Sequence, residues 1–277
     1  MTLLPHIQAN VRAALNEDLR DGDITAQLLP ASQPATARVI SRQEAVLCGT
    51  LWFEECFLSL DPGCEVHWAA QEGELVRPSQ QLCEVRGNAR ALLSAERCAL
   101  NFLQTLSGTA TLVRRYVEAV AGTQAKIMDT RKTLPGLRIA QKHAVRTGGG
   151  HNQRIGLFDG VLIKENHIAA AGSIRAVLEQ AFRHTPPGIP IQIEVENLAQ
   201  LDEALHAGAR LILLDNFSLT DMHAAVTHAA KGAELEASGG ITLDNLRLVA
   251  ETGVDRISVG ALTKDVTAVD LSMRLGK

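Results

Sequence analysis

Nothing in this sequence pairs its cysteines. Cys48, Cys56, Cys64, Cys83 and Cys98 are odd in number, scattered and without a CxxC spacing. That argues against a disulfide framework or a zinc knot and for buried thiols in a reducing compartment. No apolar run approaches the roughly 18 residues of a membrane span. The opening stretch MTLLPHIQANVRAALNEDL has no basic start followed by a long apolar core, so no secretory signal is expected there, and the cytoplasm is the expected location. A large excess of one charge is also missing: the formal net charge is -4. The molecule as a whole is therefore no trap for nucleic acid, and any anion site must be a local cluster. There is no low-complexity segment and no obvious linker.

What is present is an ordinary globular composition, 46% apolar and 21% charged over 277 residues, enough for one large domain or two moderate ones. Ile7, Val11, Leu15 and Leu19 recur at helical spacing, and the polar turn Arg20-Asp21-Gly22-Asp23 ends that helix. From about Ala35 to Gly87, short apolar stretches alternate with turns around one helical segment, LWFEECFLSL, which predicts a small sheet-rich unit. A long helical pattern follows from Ala89 to about Val120, with a bend expected near Ser107-Gly108. Beyond Gly122 the rhythm becomes strand then helix: AKIM, GVLI, IQIEV, RLILL, AELEA and RISV, mostly separated by helical segments. Repeated units of this kind imply a parallel sheet. Spacing alone leaves open whether it closes into a barrel or stays a wound sheet.

The chemistry lies at the ends of those runs. AKIM leads into Asp129, Thr130, Arg131 and Lys132; GVLI into Lys164; IQIEV into Glu196; RLILL into Asp215; AELEA into Ser238, Gly239 and Gly240; RISV into Gly260 and Ala261. In a parallel α/β barrel such residues share one face, where sites are built. A charged residue at one strand end is ordinarily a solvated loop residue, but a whole series with compatible chemistry is harder to dismiss. Bare N–H groups at the glycine turns suit phosphate. Glu196 and Asp215 beside them suit Mg²⁺, which takes one or two carboxylates with phosphate oxygens and water. Glu194 shares the face of Glu196 by strand alternation, with Glu196 at the very end. The cations Arg131, Lys132 and Lys164 exceed the need of one phosphate, so a polyanionic substrate or two anionic substrates are expected. His143, His151 and His167 show no metal-ligand spacing.

In order along the chain, CALNFLQTLSG, DTRKTLPGLR, GGGHNQRIGL, LIKENH, EVEN, LLDNF, ASGGI and ISVGALT resemble the quinolinate phosphoribosyltransferase family. The resemblance runs from about Glu17-Asp18 to the C-terminus. It implies an α/β fold with an N-terminal α/β sandwich (1–115) and a C-terminal open α/β barrel of about six parallel strands (116–277), in a homodimer with shared sites. It implies phosphoribosyl transfer from phosphoribosyl pyrophosphate to quinolinate with decarboxylation, in NAD biosynthesis, with Mg²⁺ and no organic cofactor. Carried over by position, the acceptor-binding cations fall on Arg97, Arg131, Arg154 and Lys164, with Arg97 donated across the dimer interface. Thr130 and Lys132 join the substrate site, and Lys132, Lys164, Glu196 and Asp215 take the catalytic roles. Glu196 and Asp215 sit near the ribose and metal. Ser238, Gly239, Gly240, Val259, Gly260 and Ala261 form the phosphate turns, with Lys264, a histidine in some members, at the phosphate end. One departure stands out: the family commonly reads Asn-His-Arg where this chain has Asn152-Gln153-Arg154, and Gln153 cannot carry charge. Rival readings are a related pyrophosphorylase with another heterocyclic acceptor, a non-catalytic phosphate or nucleotide sensor, and an aldolase-type barrel using Lys164 as a Schiff base.

Overall fold

The computed structural model describes residues 2–230 and 232–276. It divides into two compact units, and the division is not made at one point in the chain. The first unit holds residues 1–114, 133–149 and 262–277, and the second 115–132 and 150–261. Two later segments of chain return to the first unit. Pairing explains their return, as shown below.

The first unit is built from α1 (Leu4–Leu19), β1 (Pro34–Ser41), β2 (Ala45–Val46), α2 (Thr50–Leu58), β3 (Glu65–Trp68), β4 (Leu75–Val76), β5 (Gln81–Asn88) and most of α3 (Ala89–Ala119). Ile7, Val11 and Leu15 of α1 are buried, as their spacing predicts, in one core with Trp52, Phe53 and Phe57 of α2. The helical pattern across Ser107-Gly108 is one continuous helix, α3. All five cysteines are free and buried, and burial pushes the thiols of Cys64 and Cys98 up to about 11.

Glu72 fixes the start of α2. Its carboxylate accepts from the Gly49 N–H at 3.0 Å, the Thr50 N–H at 3.1 Å and the Thr50 hydroxyl at 2.7 Å, with His143 Nε2 at 2.9 Å. Cys48, Glu72 and His143 hold metal-ligand atom types within 4.8 Å of one another, but the carboxylate is already engaged as a helix cap. Burial pushes its pKa up, yet these hydrogen bonds outweigh burial and hold it at about 2. A depressed carboxyl contributes stability that is full above its unfolded value and lost as pH falls through the folded value. Glu72 should thus contribute on the order of 3 kcal/mol that disappears between about pH 4.5 and pH 2. In acid titrations of unfolding free energy, Glu72→Gln should start less stable at neutral pH and show a shallower loss over that window. Parallel curves for variant and parent would contradict this.

The second unit carries β6 (Lys126–Met128), β7 (Val161–Ile163), β8 (Ile191–Val195), β9 (Leu211–Asp215), β10 (Glu234–Ser238) and β11 (Arg256–Ser258). Between β6 and β7 the chain passes through α4 (Arg138–Thr147), which contacts α1 in the first unit. The other helices are α5 (Glu165–Ala171), α6 (Ile174–His184), α7 (Leu198–His206), α8 (Leu219–Ala229), α9 (Leu243–Glu251) and α10 (Ala261–Lys264). The chain ends in β12 (Leu271–Leu275), which pairs antiparallel with β1 and completes a four-stranded sheet of order β12-β1-β5-β3. Pairing of β12 with β1 brings 262–277 into the first unit, as the α4–α1 contact does for 133–149.

The six parallel strands follow the order β6-β11-β10-β9-β8-β7. Sequence order thus runs round the sheet and returns to β6, with no reversal of the kind a doubly wound sheet shows at its switch point. β6 and β7 do not pair. Beside β6 an isolated bridge joins Met128 to His151. Six parallel strands with a seam between the first and second make this an open α/β barrel. Curvature is visible in side chains: Gln192 on β8 reaches Glu236 on β10 at 3.0 Å, across the intervening β9. Neighbouring strands lie about 4.8 Å apart, so such a contact requires both residues on the concave face. The opposite faces carry Ile193, Val195, Ile212, Leu214, Leu235, Ala237 and Ile257, all buried. The helices that cover them begin at polar caps: Ser173 accepts from Ala176 N–H, Asn197 from Gln200 N–H and Ser218 from Asp221 N–H, each such cap stabilising by about 1 kcal/mol. Among the described residues, no helix is long and apolar enough to cross a membrane.

Candidate active site

The C-terminal strand ends of the second unit gather most of the residues singled out in the sequence. Register puts Ser238 of β10 opposite Asp215 of β9, and Ser258 of β11 opposite Met128 of β6. Two of the strand-end loops touch: a Cβ added at Gly260 would lie 3.1 Å from Lys132 Cδ and 3.7 Å from Thr130 Oγ1. Thr130 Oγ1 in turn accepts the Lys132 N–H at 3.1 Å. Thr130, Lys132 and the Val259-Gly260-Ala261 turn therefore form one wall.

The Ser238-Gly239-Gly240 turn faces Asp215 and Asn216. Gly239 has φ 96°, and a Cβ there would run into the Asn216 amide, so any other residue would be strained. Asn216 N–H donates to the Ser238 carbonyl at 2.9 Å, and its side-chain amide donates to Asp215 Oδ2 at 2.9 Å. This holds a carboxylate beside a glycine turn that leads into α9, with little side-chain bulk over the backbone.

Lys164, at the end of β7, donates to Glu194 Oε2 at 2.8 Å. The Lys164 backbone N–H is bound by His167 Nδ1 at 3.0 Å, which holds that corner. Here the structure shifts weight between neighbouring acids. Glu194 is the carboxylate against Lys164, with a side chain only 12% exposed, whereas Glu196 lies past the strand end and is exposed. Both follow from alternation, but only Glu194 stands level with the inward row of β9, opposite Leu213.

Arg154 is partly buried. Burial and then the neighbouring guanidinium of Arg131 lower its pKa, while Asp159 opposes them. Two guanidinium groups whose charges act on each other suit an anion that both can share, and guanidinium groups grip carboxylates bidentately. Arg154 Nη1 also donates to the Gly160 carbonyl at 2.8 Å, and Asp159 accepts from the N–H groups of Ile155 and Gly156 at 2.9 and 2.8 Å. The loop that presents Arg154 is thereby folded on itself.

Gln153 is held at both ends. Its backbone N–H donates to Asp129 Oδ1 at 2.8 Å, and its side-chain amide donates to Glu236 and, at 3.3 Å, to Gln192 Oε1. Glu236, Gln192 and Ser258 were not singled out in the sequence. The inward alternation of polar residues along IQIEV and AELEAS was the available signal.

Arg97 and Lys264 belong to the first unit. Arg97 is exposed and lines a hollow of about 400 Å³ with Asn10, Glu17, Asp18 and Asn101. Lys264 Nζ is paired with Asp265 at 2.5 Å.

Comparison with known proteins agrees with this geometry. Family models described as the N-terminal and C-terminal domains of quinolinate phosphoribosyl transferase match residues 23–107 and 109–274. A Mycobacterium leprae protein named nicotinate-nucleotide pyrophosphorylase [carboxylating] is 45% identical over 274 residues, covering 96% of this chain and 95% of that protein. A Nicotiana tabacum quinolinate phosphoribosyltransferase [decarboxylating] is 34% identical over 285 residues, covering 96% of this chain and 81% of that protein. The solved nicotinate-nucleotide pyrophosphorylase of Francisella tularensis superposes with a TM-score of 0.95 at 43% identity, covering 98% of this chain and 96% of that one.

Proposed function

The chain belongs to the quinolinate phosphoribosyltransferase family and is a phosphoribosyltransferase; on that premise we propose that it joins quinolinate to phosphoribosyl pyrophosphate in a Mg²⁺-dependent reaction. The products are nicotinate mononucleotide, pyrophosphate and carbon dioxide. What supports this reading is membership of the family together with Arg131 and Arg154 on the same unit as a glycine turn that faces Asp215. The guanidinium pair suits a dicarboxylate and the turn suits phosphate, so the two halves of the reaction have separate seats.

The pyridine nitrogen attacks the anomeric carbon of the ribose as pyrophosphate leaves, through an oxocarbenium-like transition state. Arg131, Arg154 and Lys164 orient the acceptor by its carboxylates. Lys132 and the N–H groups of the Gly239-Gly240 and Gly260-Ala261 turns stabilise charge on the phosphate and pyrophosphate oxygens, set in place before the charge develops. Glu194 and Asp215 favour the positive charge that grows on the ribose. Once alkylated, the ring nitrogen is an electron sink, so the adjacent carboxylate departs as carbon dioxide, its bonding pair stays on C2 beside the positive nitrogen, and a proton from solvent takes its place; no covalent enzyme intermediate is needed. Asp215, beside a phosphate-type turn, is a hard oxygen donor that fits Mg²⁺, with Glu194 or Glu196 as the second carboxylate. When bound, that ion neutralises charge on the leaving pyrophosphate. The direct test is to supply quinolinate, phosphoribosyl pyrophosphate and Mg²⁺ and measure mononucleotide and stoichiometric carbon dioxide. Absence of both, or activity unaffected by chelation, would count against the reading.

The working assembly is a homodimer in which Arg97 of one protomer serves the other's acceptor seat. Its exposure supports this. Arg97→Ala and an inactive Lys132→Ala variant, mixed under subunit exchange, should regain up to about a quarter of parent activity by random pairing, as one wild-type seat re-forms per heterodimer. No recovery in verified heterodimers would exclude sharing.

A further inference from the structure

The interior of the open barrel holds a buried acid that the mechanism above leaves without a task. Glu236 of β10 is 1% exposed. One of its carboxylate oxygens accepts from the Gln153 amide and the Ser258 hydroxyl, and the other from Gln192 Nε2 at 3.0 Å. Gln192 closes a ring by accepting from the same Gln153 amide at 3.3 Å. Every donor to Glu236 in this set is neutral, although a buried carboxylate is costly unless well satisfied. An apolar residue would fill the same space at lower cost, so the acid calls for a reason.

The geometry supplies one. Gln153 precedes Arg154, a partly buried guanidinium on which the charge of Arg131 acts. The Gln153 backbone N–H is held by Asp129 at the end of β6, which leaves side-chain rotation to be fixed. The Glu236–Gln192–Ser258 set removes it by directing the amide N–H groups of Gln153 inward. An amide that donates inward turns its carbonyl end in the opposite sense. Glu236 also decides what residue 153 can do electrically: an acid in contact would draw a proton onto a basic side chain there, whereas glutamine stays neutral.

We infer that Glu236 is a positioning residue: with Gln192 and Ser258 it fixes the rotamer of Gln153 beside the arginine pair, and through it sets affinity for the dicarboxylate acceptor. The inference rests on the acceptor-seat reading above. It deepens that reading by assigning the seat a supporting layer below the residues that meet the ligand.

The test is a double-mutant cycle on the full-length protein, with steady-state kinetics for both substrates. Glu236→Gln keeps shape but faces one N–H donor with another. It should raise KM for quinolinate about tenfold, the worth of one lost charge-assisted hydrogen bond. kcat and KM for phosphoribosyl pyrophosphate should stay within about threefold. Gln153→Ala should give a similar rise, and the double variant should be no worse than the poorer single variant, because both act through one contact. A purely structural role for Glu236 would instead lower the melting temperature and kcat while leaving KM for quinolinate alone, and that result overturns the inference. So would additive effects in the cycle. If Glu236→Gln does not fold, Ser258→Ala, which removes one donor only, decides in its place: a quinolinate-specific rise in KM supports the inference and none refutes it. Failure of the parent protein to use quinolinate at all would instead refute the acceptor reading itself, so the two failures are distinguishable.

Discussion

Replacing Arg131 with alanine should lower kcat/KM for quinolinate by about 30- to 1000-fold, equivalent to roughly 2–4 kcal/mol of transition-state binding. The loss should appear mainly in KM, because a carboxylate clamp holds ground state and transition state alike. The reason lies in the cost already present in the free protein. Arg154 is partly buried, and the charge of Arg131 acts on it, so a shared dianion would offset both burdens. Arg131→Lys should recover only part of the loss, since an ammonium keeps the charge but not the planar fork. Near-normal turnover at low quinolinate concentration in Arg131→Ala would mean that the clamp is elsewhere.

Lys164→Ala should be damaging for a second reason. Its ammonium lies 2.8 Å from Glu194, and removing it leaves a largely buried carboxylate without its cation at a mouth that must admit anions. Truncating one member of a desolvated pair costs about 2–5 kcal/mol. Lys164 is half-exposed, so the lower part of that range applies and kcat/KM should fall about a hundredfold. The double variant Lys164→Ala/Glu194→Gln separates the two contributions. KM for both anionic substrates should recover part of the way while kcat stays low, because the stranded charge is gone but the acid's electrostatic task is gone with it. If the double variant simply shows the product of two independent losses, the pair is not coupled.

Much of this architecture was legible in the chain because the strands announce themselves. RLILL, IQIEV and AKIM are apolar on the face that meets the helices, and each ends abruptly in charge or glycine. β12 was missed for the opposite reason. Leu271–Leu275 is short and lies far in sequence from its partner β1, so nothing local marks it, and with it went the return of the chain to the first unit. The inner face of the barrel was harder still. That Gln192, Glu194, Glu234 and Glu236 stand on inward rows follows from alternation, but that Glu194 meets Lys164 while Glu236 meets Gln153 depends on strand register. Glu196 drew attention because it ends its strand, yet a position one step beyond a ladder is freer to face solvent than one within it. Gln153 looked like a lost histidine in the sequence; in the fold it is a residue with three hydrogen-bonding neighbours waiting for it.

The seam between β6 and β7 has its own consequence. A hoop closed by hydrogen bonds all the way round has a fixed girth, because widening it at any point strains every joint. This hoop is cut, and the cut falls between the strand that leads to Arg131 and the strand that leads to Lys164. Those are two of the cations assigned to the acceptor, so a rigid flat ring held between them would lie across the one joint that carries no ladder, while the pairing from β8 to β11 is continuous.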